Sequence, residues 1–274
     1  PQNSELAVKW YTLAAEQDYA PAQVYLGNIY LEGAVVSQDY DLARSLFTEA
    51  ADKSDDDAIH MLGVIFEFGY GVDENYDQAL RLYERAADFG SAEAQYTLGL
   101  KYDTGEGYPQ NSTIAASLYQ LAAQQDFVQA QVALANKLYL GVGVPQNFDE
   151  AARYYQLAAD QLNPEAQTNL AVMYINGQGV AQNYKEAVRL FTLAAEGWQP
   201  LVPAQNNLGA MYHTGQGVRQ DNVLAHMWLD IAASKGNELG AKNLNIVASQ
   251  MNPSQIAESQ ELMRKCVQKN FKDC

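Results

Sequence analysis

Three features common in other classes of protein are missing from this sequence: long apolar runs, an excess of positive charge, and cysteines spread through the chain. No apolar stretch approaches the roughly 18 to 20 residues of a membrane span, because Gly, Asn, Gln or a charged residue interrupts each run. Lys and Arg total 17 against 33 Asp and Glu, and the formal net charge of −16 repels the phosphates of nucleic acids. We therefore expect neither membrane insertion nor a nucleic-acid partner.

The residues that usually carry catalysis are also scarce. The three histidines, His60, His213 and His226, are far apart and show no metal-ligand spacing. No nucleophile elbow, zinc-protease motif or phosphate loop is present. The acidic run at residues 55–57 fits the solvated start of a helix better than a cation site. We predict no catalytic residue, no metal and no cofactor.

A leucine repeats about every 36 residues through the chain. It occupies positions Leu26, Leu62, Leu98, Leu134, Leu170, Leu208 and Leu244. Alanine precedes the first six of these leucines by four residues and an aromatic residue follows five of the six by four, so that these columns share one helical face. A glycine seven residues after each of the six ends that helix. Self-similarity at this period predicts a solenoid of stacked helix pairs.

The second helix of each pair has a recognisable start. An Asn or Asp stands there, whose side-chain oxygen can accept a hydrogen bond from a free backbone amide. The six residues are Asp39, Asn75, Asn111, Asn147, Asn183 and Asp221. Three of them are followed three residues later by Gln78, Glu150 or Glu186, and this spacing predicts reciprocal capping boxes. Near the C-terminus, Asn252 and Gln255 predict a further capped helix.

Two segments carry a family resemblance. The residues from Leu98 to Gly107 and from Leu208 to Asp221 combine the leucine, the tyrosine and the Gly-x-Gly turn, and they resemble the Sel-one-like repeat. That repeat is similar to the tetratricopeptide repeat. The resemblance covers nearly the whole chain and implies an all-α, right-handed superhelical solenoid of antiparallel helix pairs with a repeat of about 36 residues.

The repeat register divides residues 1–274, taken as one solenoid. We expect a second helix of a truncated repeat at 1–19, six full repeats at 20–236, and a C-terminal capping helix pair at 237–274. Gln2 and Asn3 align with Gln38 and Asp39, inside a repeat. We therefore expect the natural protein to extend further upstream.

The first helices carry a face whose residues differ between repeats. In a two-helix solenoid these helices line the concave surface, so that variable positions are available to a ligand. The predicted partner-binding residues are Tyr25, Met61, Phe68, Tyr96, Asn136, Tyr139, Asn169, Asn207 and His213. One alternative stays open: the aromatic residues fill gaps between neighbouring helices and the asparagines are simply solvated.

The two cysteines, Cys266 and Cys274, both lie at the C-terminal end, where the tail can fold back and bridge them. So short a disulfide loop contributes roughly 2 to 3 kcal/mol in the chain-entropy model. The ending also looks like that of exported bacterial members of the family. We expect a periplasmic or secreted protein, the alternative being two free thiols in the cytoplasm.

These features predict a monomeric, non-enzymatic adaptor that binds a protein or peptide segment in the concave groove. Two alternatives remain. Some secreted members of the family are associated with binding or hydrolysing penicillin-like compounds, but those carry a cysteine pair in each repeat, and these repeats contain none. The other alternative is a structural scaffold that assembles with itself through its ends.

Overall fold

The computed structural model describes residues 2–271 and 274, and every regular element in that part of the chain is an α-helix. The fifteen helices described are α1 (Gln2–Ala15), α2 (Ala20–Glu32), α3 (Tyr40–Ala51), α4 (Asp56–Phe68), α5 (Tyr76–Phe89), α6 (Ala92–Thr104), α7 (Ser112–Ala123), α8 (Val128–Leu140), α9 (Phe148–Asp160), α10 (Pro164–Asn176), α11 (Tyr184–Glu196), α12 (Val202–Thr214), α13 (Asn222–Ser234), α14 (Glu238–Ala248) and α15 (Pro253–Gln268). The predicted all-α class of consecutive helix pairs is confirmed.

The helices form two compact units, one ending at Ala130 and the other beginning at Gln131. The first unit holds α1 to α7 and the first residues of α8, and the second holds the rest. In the first unit each helix from α1 to α7 packs against the next one. In the second unit each helix from α9 to α14 does so, and α15 packs against α13. Even-numbered helices are the first helices of the repeats, and odd-numbered helices are the second.

The six predicted helix caps are confirmed, since each Asn or Asp side chain accepts a bond from a backbone amide of the helix it starts. The predicted capping boxes at Gln78, Glu150 and Glu186 are wrong. The backbone amide that such a box needs is already used: the N–H of Asn75, for example, donates to the carbonyl of Phe66 at 2.8 Å. The same bond recurs at the other caps, because the end of each first helix lies against the start of the second. A complete capping box forms at Asn252 with Gln255, as predicted.

A recurring glutamine, which the sequence analysis did not identify, caps the C-terminal ends of the first helices. In five repeats, the residue before the cap donates its side-chain amide to a carbonyl in the last turn of the preceding helix, at 2.7 to 2.9 Å. These residues are Gln38, Gln110, Gln146, Gln182 and Gln220. The bond satisfies a carbonyl that no helical amide reaches. Glu74 takes this position in the remaining repeat, where its carboxylate cannot donate.

In three repeats of the first unit, a glycine of the first helix packs against an aromatic residue of the second, whereas Gly209 of the sixth repeat meets Leu229. A Cβ built on Gly63 would lie 2.6 Å from the ring of Tyr83, and one built on Gly99 would lie 2.7 Å from the ring of Tyr119. Both tyrosines are almost fully buried. The small residues let the two helices pack closely. The opposite face of each first helix takes no part in this contact, so its residues can vary.

Two contacts fix the C-terminal helix: a buried polar contact joins it to α13, and a cysteine pair joins it to the end of the chain. His226 of α13 bonds through Nδ1 to the hydroxyl of Ser259 in α15 at 2.9 Å, and both side chains are buried. Cys266 and Cys274 are placed in bonding contact, with Cα atoms 5.1 Å apart. Residues 272 and 273 of the predicted fold-back tail lie outside the described residues.

Candidate functional site

The first unit carries a groove of about 380 Å³ on its first helices. Its lining residues are Pro21, Val24, Tyr25, Asn28, Asp55, Asp57, His60, Met61 and Glu93. We call it the acidic groove, because three carboxyl groups from α6 and the start of α4 stand along it. Two of the predicted partner-binding residues, Tyr25 and Met61, lie here. The ring of Tyr25 is more than half exposed and stacks on Tyr11 at 5.2 Å between centroids.

The acidic groove brings carboxyl groups together, and within the described residues no Lys or Arg forms an ion pair with Asp57 or Glu93. Partial burial, together with Glu93 and two adjacent aspartates, raises the pKa of Asp57 to about 6. Burial lowers the pKa of His60 to about 4, so this imidazole is neutral at neutral pH. The His60 ring bonds through Nε2 to Thr97 at 3.2 Å. The groove is lined both by apolar side chains, such as Val24 and Met61, and by carboxyl groups.

The second unit carries a smaller groove of about 250 Å³, again on first helices. Its lining residues are Asn136, Tyr139, Leu140, Tyr155, Asn169 and Val172. We call it the amide groove. Three of the predicted partner-binding residues, Asn136, Tyr139 and Asn169, are brought together here from α8 and α10. None of its lining side chains carries a charge at neutral pH.

A hydrogen-bond network orders the amide groove. The side-chain oxygen of Asn136 accepts from the hydroxyl of Tyr155 and, at 3.4 Å, from the amide of Asn169. The amide nitrogen of Asn136 donates to Glu165 at 3.3 Å. Tyr155 belongs to the repeated aromatic column that the sequence assigns to the core, and its ring is buried. Its hydroxyl nevertheless reaches the groove, a role that the repeat pattern alone could not reveal.

Two predicted binding residues of the first unit lie outside the acidic groove. Phe68, at the end of α4, is exposed, with its ring 5.8 Å from that of Tyr70. Tyr96 is only partly exposed and packs against the rings of Tyr119 at 5.7 Å and Phe127 at 5.4 Å. At Tyr96 the ring thus fills a gap between helices, as in the alternative interpretation of these aromatics.

Two predicted binding residues of the second unit lie outside the amide groove. Asn207 accepts a bond from the neighbouring Asn206 at 3.3 Å. His213 places Nδ1 3.0 Å from the side-chain oxygen of Asn222, at the start of the next helix. Both residues are partly buried. Their contacts are therefore local to the repeat.

Across residues 2–271 and 274, no group of three or more His, Cys, Asp or Glu side chains is arranged to hold a metal ion. The His226 and Ser259 pair resembles part of a hydrolase site by residue type, but Ser259 has no solvent exposure and no substrate could reach it. No helix in the described part of the chain is long and apolar enough to cross a bilayer.

The charge of the chain is distributed very unevenly, a signal that total composition conceals. Of the 33 acidic residues, 21 precede Gln131, together with only 6 of the 17 basic residues. The first unit therefore carries a net charge of −15 and the second a net charge of −1. This asymmetry is readable from the sequence, but it does not single out Asp57 and Glu93, which the predicted set of binding residues does not include.

Paired antiparallel helices, glycine-containing turns and grooves along the first helices define the class of helical-repeat proteins to which this chain belongs. A model of the Sel1 repeat matches residues 1–19, 20–55, 56–91, 92–127, 128–161, 164–197 and 202–237. The chain is thus a member of the Sel1 repeat family. Members of this family generally act as protein-interaction scaffolds and are typically non-catalytic.

Two solved structures of Sel1 repeat type are similar to this chain. One is a protective antigen present in uropathogenic Escherichia coli strains that displays an SLR fold: it is 30% identical over 96% of this chain, with a TM-score of 0.83. This chain spans only 57% of that antigen. The other is a Sel1 repeat protein from Oxalobacter formigenes, 27% identical over 79% of this chain and 88% of its own, with a TM-score of 0.69. No curated protein matches the chain significantly.

Proposed function

We propose that this protein is a non-enzymatic adaptor that binds a polypeptide segment along the first helices of its repeats. The contact residues are the predicted set, with Tyr25 and Met61 in the acidic groove and Asn136, Tyr139 and Asn169 in the amide groove. Six full repeats at 20–236 provide the scaffold, and the helix pair at 237–274 caps it. The protein acts as a monomer that captures another chain.

The observation that carries this proposal is the chemistry of the amide groove. An exposed leucine, Leu140, stands beside two asparagines there. An asparagine amide has two donors and two acceptor lone pairs. The oxygen of Asn136 already accepts two bonds, whereas the bond from Asn169 to Asn136 uses only one of the donors of Asn169. An extended peptide presents alternating N–H and C=O groups and apolar side chains, and such a groove can satisfy both.

The compartment we infer is the periplasm or the extracellular space, with the cytoplasm as the alternative. Bonding contact between Cys266 and Cys274 supports an oxidising environment. The similar protein from uropathogenic Escherichia coli is a protective antigen, and an antigen must be accessible to the immune system to protect. Both observations favour export.

Site-specific photo-crosslinking in the source organism tests the adaptor function. A benzophenone amino acid is placed at Leu140, which is 64% exposed in the amide groove, or at Leu157, which is 36% exposed on the second helix of the same repeat. We expect the Leu140 position to capture a discrete polypeptide partner that the Leu157 position does not. Equal capture at the two positions, or none at Leu140, contradicts binding along the first helices.

A matched pair of substitutions checks the result with purified protein. Leu140→Glu should abolish binding of the captured partner, because a charge replaces an apolar contact, whereas Leu157→Glu should leave it intact. Both residues are solvent-exposed, so melting temperatures should stay close to that of the wild type. Loss of binding in both variants would point to a general effect on folding or charge.

A further inference from the structure

We propose that the acidic groove of the first unit receives an arginine or lysine side chain of the bound segment, clamped between the carboxylates of Asp57 and Glu93 and the apolar wall of Val24, Tyr25 and Met61. This inference rests on the proposed function and adds the chemistry of the segment to it. The first unit thereby selects a basic residue flanked by apolar neighbours.

The field around the groove supports a cationic occupant. The first unit has a net charge of −15, against −1 for the second unit. A concave site lined by one sign of charge concentrates the potential and raises the local concentration of opposite charge. A basic segment would therefore be drawn to this groove in preference to the amide groove.

The carboxylates of the groove are not neutralised by the protein itself. Elsewhere in this unit, Lys101 pairs with Glu67 and Glu106, and Lys53 pairs with Asp18. In the stretches covered by residues 2–271 and 274, no Lys or Arg pairs with Asp57 or Glu93. The missing cation must come from outside the chain if the charge is to be balanced.

A structural role explains Asp55 but not Asp57 or Glu93. Asp55 caps α4 by accepting from the amide of Ala58 at 2.9 Å, and its presence is explained. Asp57 and Glu93 lie in the first turns of α4 and α6, where the helix dipole favours a negative charge. The pKa of Asp57 is nevertheless raised, because of partial burial and the surrounding carboxylates. A bound cation relieves this repulsion.

The shape of the groove favours a long side chain over a bare ion. Its volume of about 380 Å³ is many times larger than the roughly 30 Å³ that a water molecule occupies. Among the described residues, no group of side chains is arranged to hold a metal ion. Val24, Tyr25 and Met61 provide apolar surface for the methylene stem of Lys or Arg. The Tyr25 ring, supported by Tyr11, offers a face to a guanidinium group.

Two labelled peptides test the inference directly. Each has a single arginine or its uncharged analogue citrulline between two leucines, flanked by glycine and serine, with fluorescein at one end. Fluorescence anisotropy measures the Kd of each for the full chain. We expect the arginine peptide to bind at least about tenfold more tightly, because only the charged head engages the carboxylates. Equal affinity, or no binding of the arginine peptide up to millimolar concentration, overturns the proposal.

Paired variants locate the effect. The double variant Asp57→Asn with Glu93→Gln should lose the preference for arginine without a fall in melting temperature. The control is Asp73→Asn with Glu74→Gln, which removes the same charge from an exposed turn of the same unit and should keep most of the preference. If the control loses it equally, the effect is a general field and the clamp is wrong.

The pH profile gives a second readout. Protonation of Asp57 as the pH falls through about 6 should weaken binding of the arginine peptide, with His60, Asp55, Asp56 and Glu93 as the other titratable groups around it. Partner capture at Leu140 does not depend on these carboxylates. Failure of the arginine preference with intact capture at Leu140 would reject this inference alone, whereas loss of that capture would reject the adaptor function.

Discussion

The acidic groove of the first unit and the amide groove of the second are both built on first helices of the repeat, but carboxylates line one and asparagines the other. Beneath them the scaffold is the same, with equivalent caps and equivalent aromatic residues packed behind the first helix. The side chains that line the grooves therefore differ at positions that the scaffold does not need. Under the function proposed above, one chain binds two kinds of feature in a partner, a basic side chain and a polar backbone.

Among the substitutions considered, Lys101→Met should lower the free energy of unfolding most, because it removes the buried cation of the first unit. Lys101 and its partner Glu67 are both nearly buried, and Tyr83 also donates to Glu67 at 2.6 Å. An unpaired buried carboxylate costs about 3 to 5 kcal/mol. Urea denaturation should show that loss, and adding Glu67→Gln should recover part of it. Arg44→Met, which breaks an exposed pair with Asp41, should cost less than about 1 kcal/mol.

In the second unit, Cys274→Ser tests how much the contact between Cys266 and Cys274 stabilises the C-terminal helix. Releasing the eight-residue loop from Cys266 should lower the stability of α15 by about 2 to 3 kcal/mol. Hydrogen exchange should then speed up in α15 and stay unchanged in the first unit. A reductant should produce the same change in the wild type and none in the variant. If reductant has no effect on the wild type, the thiols are free and the oxidising compartment loses its support.

Gly99→Ala and Ala135→Gly compare the same repeat position in the two units. The added methyl group at Gly99 meets the ring of Tyr119 at 2.7 Å, and such overpacking should cost about 1 to 2 kcal/mol after the gain in helix propensity. Ala135 is fully buried in α8, and replacing it by glycine should cost about 1 kcal/mol. Thermal unfolding of both variants measures the effects. A stabilised Gly99→Ala would show that the helices can separate without penalty.

The scaffold was predictable from the sequence because its interactions repeat. Leucine, alanine and aromatic columns recur at one period, and Asn or Asp marks each second helix, so every unit supplies the same signal. The grooves were predictable only in part. Sequence register places Tyr96 and Tyr139 on one variable face. Whether a ring fills a gap or lines a groove depends on which residues the neighbouring segments bring near, such as Phe127 in the turn before α8. That information does not repeat.

Asp57→Asn has the smallest expected effect on stability. Unlike a substitution in the amide groove, its effect should depend on pH. The pKa of Asp57 is about 6 in the folded chain, above its ordinary value of 3.8, so the folded state prefers the protonated acid. Below pH 4 the variant and the wild type should be equally stable. As the pH rises from 4 to above 6, the wild type should become less stable than the variant, by under about 1 kcal/mol because the carboxylate is partly exposed. Asn169→Ala, in a groove without charged lining, should show a difference that is constant over this range. A flat difference for Asp57→Asn would mean that its carboxylate is not destabilised, which would remove one reason for a cation to bind beside it.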